Sequence, residues 1–237
     1  MQVFLIDREG PKNATLGREE TRHCLKVLRH QVGDEIWGTD GKGAMHKLRI
    51  LTTDLQQTQL EIIESFPRFG EHEGHITLAA SPLRLKDRFE WLIEKSVELG
   101  VNEIQPLHCA RTDVYKSKFK PQRIKTLIET ALKQSKRSQL PQLNPKMDFS
   151  NWIEDDHLGE KYIGWCEAEE PLQSFQQKMT KSERVTLLIG PEGDFTEEEI
   201  QQAIQAGFHP VSLGENRLRT ETAGIFALSM VKVYWNY

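Results

Sequence analysis

The rhythm of apolar positions changes near residue 70. Before that point they come in short alternating runs, Val3–Ile6, Glu35–Thr39, Ala44–Leu51 and Leu55–Ile63, each of which predicts a strand. Asp40-Gly41-Lys42-Gly43 lies between two of these runs, and Asp-Gly in that setting signals a hairpin. Glu19 to Leu28, carrying Leu25 and Leu28, predicts a short helix. Short strands separated by turns favour a small barrel, placed here in a first domain over residues 1–70. Ser65 to Gly74, with Pro67, Gly70 and a charged tail, reads as the linker.

From residue 75 to 237 the pattern alternates between compact apolar runs and 3.6-residue periodicity. Ile76–Ala80, Glu103–Leu107, Tyr162–Cys166 and Val185–Ile189 predict strands. Asp87–Leu99 predicts a helix with Phe89, Leu92, Ile93 and Val97 on one side and Gly100 as its C-cap. Arg123–Lys136 predicts a basic helix with Ile124, Leu127, Ile128, Ala131 and Leu132 as its apolar stripe. Thr196–Ala206 opens with Thr196 and Glu199 at capping-box spacing, and Glu221–Tyr234 closes the chain's predicted elements. Strands alternating with helices predict a parallel α/β sheet.

The chemistry concentrates between residues 188 and 224. A buried strand runs into Gly190-Pro191-Glu192-Gly193-Asp194-Phe195, a glycine-bearing turn that leads to a helix. Such a turn in an open α/β sheet is where ligands bind, because bare peptide groups can lie against them. Many turns of this kind bind nothing. A second strand end at Val211-Ser212-Leu213-Gly214 and a second compact turn, Leu218 to Ala223, strengthen the binding reading. No GxGxxG follows a strand and no GxxxxGK[ST] is present, which leaves dinucleotide and nucleoside-triphosphate sites unsupported.

Gly190-Pro191-Glu192-Gly193, Leu213-Gly214 and Leu218-Arg219-Thr220-Glu221-Thr222-Ala223 together resemble the signature of the RsmE-like 16S ribosomal RNA uridine-N3 methyltransferases of the SPOUT superfamily. His23-x-x-Lys26-Val27-Leu28-Arg29 with Gly33-Asp34, Lys95-x-x-Glu98-Leu99-Gly100-Val101, and Gln134-Ser135-x-Arg137 with Pro141 also fit, so the resemblance spans essentially the whole chain. It implies S-adenosylmethionine as methyl donor. It also implies a PUA-like RNA-binding barrel before a trefoil-knotted parallel sheet with helices on both faces, and a homodimer with its active site near the subunit interface. Three positions depart from the family's pattern: Asp194 stands where a second glycine is usual, Asn216 where an arginine is frequent, and Arg217 where an apolar residue is usual.

On this resemblance the donor contacts are Ile189, Gly190, Pro191, Glu192, Gly193, Leu213, Gly214, Leu218, Arg219 and Thr220. Uracil N3 carries its proton at neutral pH, so its alkylation calls for a base. Glu221 is the nearest carboxylate to the second turn, and Arg219 is placed to stabilise a developing oxyanion. An acid at Glu221 equally suits the first turn of a helix, without any catalytic part. Other acceptors, a ribose 2′-hydroxyl or a guanine nitrogen, remain open, as does RNA binding without catalysis.

The net charge of −4 argues against nucleic acid, but its distribution argues for it. Arg111 to Arg137 holds nine Lys or Arg against two acids, and Glu154 to Glu170 holds seven acids against one lysine. A basic stretch can neutralise phosphates while the total stays negative. The candidate RNA contacts are Arg22, Lys26 and Arg29, with Lys116, Lys118, Lys120, Arg123, Lys133, Lys136 and Arg137. The same charges also describe a solvated helix face. Cys24, Cys109 and Cys166 have no metal-ligand spacing, so no metal site is expected. With no apolar run long enough for a bilayer and no secretion signal at Met1–Leu5, the expected compartment is a reducing cytoplasm.

Overall fold

The computed structural model describes residues 1–112 and 119–235. The chain divides into two compact units, residues 1–71 with 129–140, and residues 72–128 with 141–237.

The first unit is built on a sheet of six strands among the described residues: β1 (Val3–Leu5), β2 (Asp7–Arg8), β3 (Asn13–Leu16), β4 (Glu35–Thr39), β5 (Ala44–Ile50) and β6 (Thr58–Pro67), in the order β1-β4-β5-β6-β3-β2. The Asp-Gly turn joins β4 to β5 as expected, with Gly41 and Gly43 both at positive φ. Alternate residues point inward, so Leu48, Ile50, Leu60 and Ile62 meet Phe4, Leu16 and Ile36 in one core. The expected helix divides into α1 (Arg18–Arg22) and a π-helical turn, His23–Val27, that brings Cys24 into this core. The expected end of the last strand, Ile63, is too early. β6 continues to Pro67 because Phe66 stays paired opposite Met45 and its ring packs on Trp37 and Phe69.

Residues 129–140 belong to this unit, and a buried ion pair explains why. Arg137 donates from Nη2 to Glu71 Oε2 at 2.7 Å, with side chains only 3% and 8% exposed. The other oxygen of Glu71 accepts from the backbone N–H groups of Ser138 and Gln139, both at 2.8 Å. Thr39 Oγ1 and Gly43 N donate to the Ser138 carbonyl. Removing one partner of such a pair strands a buried charge, so Glu71→Ala is expected to cost about 3–5 kcal/mol in urea denaturation. A loss under about 1 kcal/mol would show that this pair does not organise the unit.

The second unit carries the parallel sheet. Its strands are β7 (His75–Ala80), β8 (Glu103–His108), β9 (Gln142–Leu143), β10 (Met147–Asp148), β11 (Glu160–Gly164), β12 (Arg184–Ile189) and β13 (His209–Val211). Their order is β10-β8-β7-β12-β11-β13, with β9 also on β8, and the pairings are parallel. The helices are α2 (Lys86–Glu98), α3 (Pro121–Ser135, whose last residues belong to the first unit), α4 (Phe149–Trp152), α5 (Gln176–Lys181), α6 (Glu197–Gln205) and α7 (Thr220–Tyr234). Phe149 and Trp152 of α4 and Ile200 and Ala203 of α6 pack on Ala79, Leu107, Ile163 and Leu188. α7 lies on β12 and α2, and at Gly224 the two helices are close: a Cβ there would come within 2.7 Å of Leu92 Cδ1, which would have to shift. No helix among the described residues is long and apolar enough to cross a membrane.

Candidate active site

Because the strands are parallel, the segments following β11, β12 and β13 all emerge at one edge of the sheet. Gly164 ends opposite both Ile189 and Val211, so the three exits are neighbours. Together they enclose a cavity of about 600 Å³ lined by Gly164–Glu167, Ile189–Phe195 and Ser212–Glu221, with Arg88, Arg111, Glu197 and Ala223. Every residue expected to meet the donor lies on this cavity, as do Arg219 and Glu221.

The first loop is held from several sides. Asp194 adopts φ +62°, the left-handed region where glycine is favoured. It persists because its carboxylate accepts from Phe195 N at 2.8 Å and from Cys166 N at 3.2 Å, tying this loop to the one after β11. Arg111 Nη1 donates to the carbonyls of Gly193, 2.8 Å, and Phe195, 3.1 Å. Thr196 and Glu199 form the predicted capping box, and the second oxygen of Glu199 accepts from Ala110 N at 2.8 Å. Glu192 accepts from the backbone N–H of Arg84 at 3.1 Å. Its carboxylate therefore anchors a loop.

The second turn delivers α7. Arg219 occupies the N-cap position and is exposed, while Thr220 and Glu221 are buried. Glu221 is 8% exposed and stands in the first turn of α7; Arg88 Nε lies 3.7 Å from its Oε1. Glu221, Arg88 and Arg219 thus line one cavity. Cys166 also lines it, but burial and then the Asp194 hydrogen bond push its thiol pKa up, so it is not an activated nucleophile.

Sequence reasoning missed Arg88, Arg111, the Gly164–Glu167 segment and the anchoring role of Asp194. Arg111 stood out only as one charge in a basic run.

The basic candidates are placed unequally. In the first unit Arg22, Lys26, Arg29 and Lys136 are exposed, whereas Lys133 is ion-paired with Glu20. Arg137 is corrected: its guanidinium is buried against Glu71, and burial takes it out of the phosphate-contact set. In the second unit Lys120 and Arg123 are exposed, with Arg123 bonded to Glu90 at 3.0 Å. Lys116 and Lys118 lie outside the described residues.

Residues 70–232 match the model of the RNA methyltransferase domain family. The ribosomal RNA small subunit methyltransferase E of Synechocystis is 31% identical over 220 residues, covering 92% of this chain and 72% of that one. The chain belongs to this methyltransferase family. Its counterpart from Bacillus subtilis is 27% identical over 98% of this chain and 96% of its own. The crystal structure of the family's enzyme from Neisseria gonorrhoeae, bound to S-adenosyl methionine, superposes with a TM-score of 0.88 at 31% identity, covering 99% and 98% of the two chains. The match extends over both units, so the family's likeness is not confined to the parallel sheet.

Proposed function

We propose that this protein methylates N3 of a uridine in 16S ribosomal RNA with S-adenosylmethionine as donor. The observation that carries the reading is the convergence of the loops after β12 and β13 on one cavity, beside a buried carboxylate and an exposed arginine. The cavity suits the donor. Its volume is in the range of small-molecule sites. A Cβ at Gly214 would meet nothing within 4 Å, so the cavity is open against bare backbone there. When bound, the donor supplies an electrophilic methyl group on a sulfonium.

The chain's own residues supply the rest. The backbone groups of Ile189–Gly193, Leu213, Gly214 and Leu218–Thr220 hold the donor, and holding two reactants together is the main requirement of the transfer. Glu221 accepts the N3 proton. Arg219 donates hydrogen bonds to the uracil oxygen on which charge develops. Arg88 fixes the Glu221 carboxylate against α2.

The finer architecture we propose is a PUA-like RNA-binding barrel over residues 1–70 and a trefoil-knotted SPOUT methyltransferase domain over residues 75–237. Leu85 and Trp91 on and before α2, with Phe226 on α7, are large exposed apolar side chains, which supports a homodimer paired through these helices. The small ribosomal subunit or its RNA is the partner, in the cytoplasm.

Mass-spectrometric mapping of 16S RNA from cells with and without this protein tests the function. One N3-methyluridine is expected to disappear with the gene and to return with it. Loss of a 2′-O-methyl or methylguanosine mark instead would reassign the acceptor. For RNA binding, Lys26→Glu with Arg29→Glu is expected to flatten the salt dependence of affinity by about 0.7–0.9 in log–log slope for each phosphate no longer neutralised. An unchanged slope would place RNA on another face.

A further inference from the structure

The cavity beside the exits of β11, β12 and β13 holds more acid than base. Six of its lining residues are Asp or Glu, and four are arginines: Arg88, Arg111, Arg217 and Arg219. S-adenosylmethionine meets such a wall unequally. Its sulfonium and α-ammonium are cations and are favoured there. Its α-carboxylate is an anion, and the surrounding like charge disfavours it unless a cation is placed to receive it. The donor therefore calls for one guanidinium free to take up a carboxylate.

Three of the four are engaged elsewhere. Arg111 donates to the Gly193 and Phe195 carbonyls. Arg88 is drawn to Glu221. Arg219, at the N-cap of α7 and two residues before Glu221, belongs on the reading above to the uracil oxygen. Arg217 remains. It lines the cavity, is exposed, and makes no hydrogen bond or ion pair among the described residues. Its charge is felt at Cys166, on the segment after β11, where it opposes the rise in thiol pKa caused first by burial and then by Asp194. The guanidinium is thus within electrostatic range of two of the three segments that enclose the cavity.

We propose that Arg217 holds the α-carboxylate of the methyl donor and so selects the intact amino-acid tail of S-adenosylmethionine. This rests on the donor's place in this cavity. A planar guanidinium can meet both carboxylate oxygens at once, which the point charge of a lysine cannot. No existing bond has to break for Arg217 to do so. The product, S-adenosylhomocysteine, keeps the same carboxylate, so the contact holds donor and product alike.

Calorimetric titration of the full-length protein tests this with three compounds: S-adenosylmethionine, S-adenosylhomocysteine and decarboxylated S-adenosylmethionine, which lacks only the carboxylate. Arg217→Gln is expected to weaken the first two about ten- to a hundredfold, the loss of hydrogen bonding to a charged group. The decarboxylated compound should change less than about twofold, or bind more tightly once a cation is removed. Arg217→Lys keeps the charge without the fork and should fall between wild type and Arg217→Gln. Because residue 217 is exposed, the melting temperature should not move. Equal weakening of all three compounds would mean that Arg217 supports the loop and not the carboxylate, and would overturn the proposal. Unchanged affinity for all three, or a loss of RNA affinity alone, would overturn it as well, the latter assigning Arg217 to a phosphate. A wild-type protein that binds none of the three removes the donor from this cavity, and the proposal with it. Wild-type binding with an indifferent variant sinks only the part given to Arg217.

Discussion

Glu221→Gln is expected to lower the single-turnover rate of methyl transfer about 10²–10⁴-fold with both substrates saturating, and to leave donor affinity within about twofold. The carboxylate is 8% exposed, lines the cavity and has the Arg88 guanidinium 3.7 Å away. Glutamine keeps the shape and can still hydrogen-bond Arg88, but it cannot take up the N3 proton. A purely structural Glu221 predicts something different: a lower melting temperature with an unchanged rate per folded molecule. Raising the pH separates the two further. At a pH where the uracil N3 ionises by itself, a variant lacking only the base should recover much of its rate. A full rate in Glu221→Gln at neutral pH would end its part as proton acceptor.

Much of this site was legible because its determinants are local. The two glycine-bearing turns, the capping box at Thr196 and Glu199 and the start of the last helix are all set within a few residues of sequence. What sequence hid is long-range. Glu199 reaches Ala110 across 89 positions and Arg111 reaches Gly193 across 82, and neither pairing leaves a spacing to read. β2, β9 and β10 span two residues each, too few to show period two. The apolar stripe of α3 reads as continuous through Leu132, so nothing along it marks the point at which the chain changes units. Arg137 shows the same limit for charge. In a basic run it is indistinguishable from its neighbours, and only the fold reveals its pairing with Glu71.

Asp194 shows how a non-glycine residue is held at positive φ. An aspartate in the left-handed region is tolerated where its side chain bonds locally, and here it bonds both to its own loop and to the next one at Cys166. Asp194 thus makes a fixed link between two walls of the cavity.

Gly193→Val is expected to weaken S-adenosylmethionine binding about a hundredfold or more while the protein stays folded. A Cβ built at 193 already meets Arg111 Cβ at 3.3 Å and Cδ at 3.4 Å, and the two further methyl groups of valine have to displace that side chain. Arg111 then loses its bonds to the Gly193 and Phe195 carbonyls, each in the class worth about 1.5–3 kcal/mol, and the loop loses its clamp. At about 1.4 kcal/mol per decade, losing both bonds accounts for a hundredfold. The fold is spared because residue 193 is exposed and β12 ends four residues earlier. Arg111→Ala separates the clamp from the added bulk. It should weaken binding about a hundredfold, no more than Gly193→Val does, with a similar melting temperature. Unchanged affinity in Gly193→Val would mean that the donor does not lie against this loop.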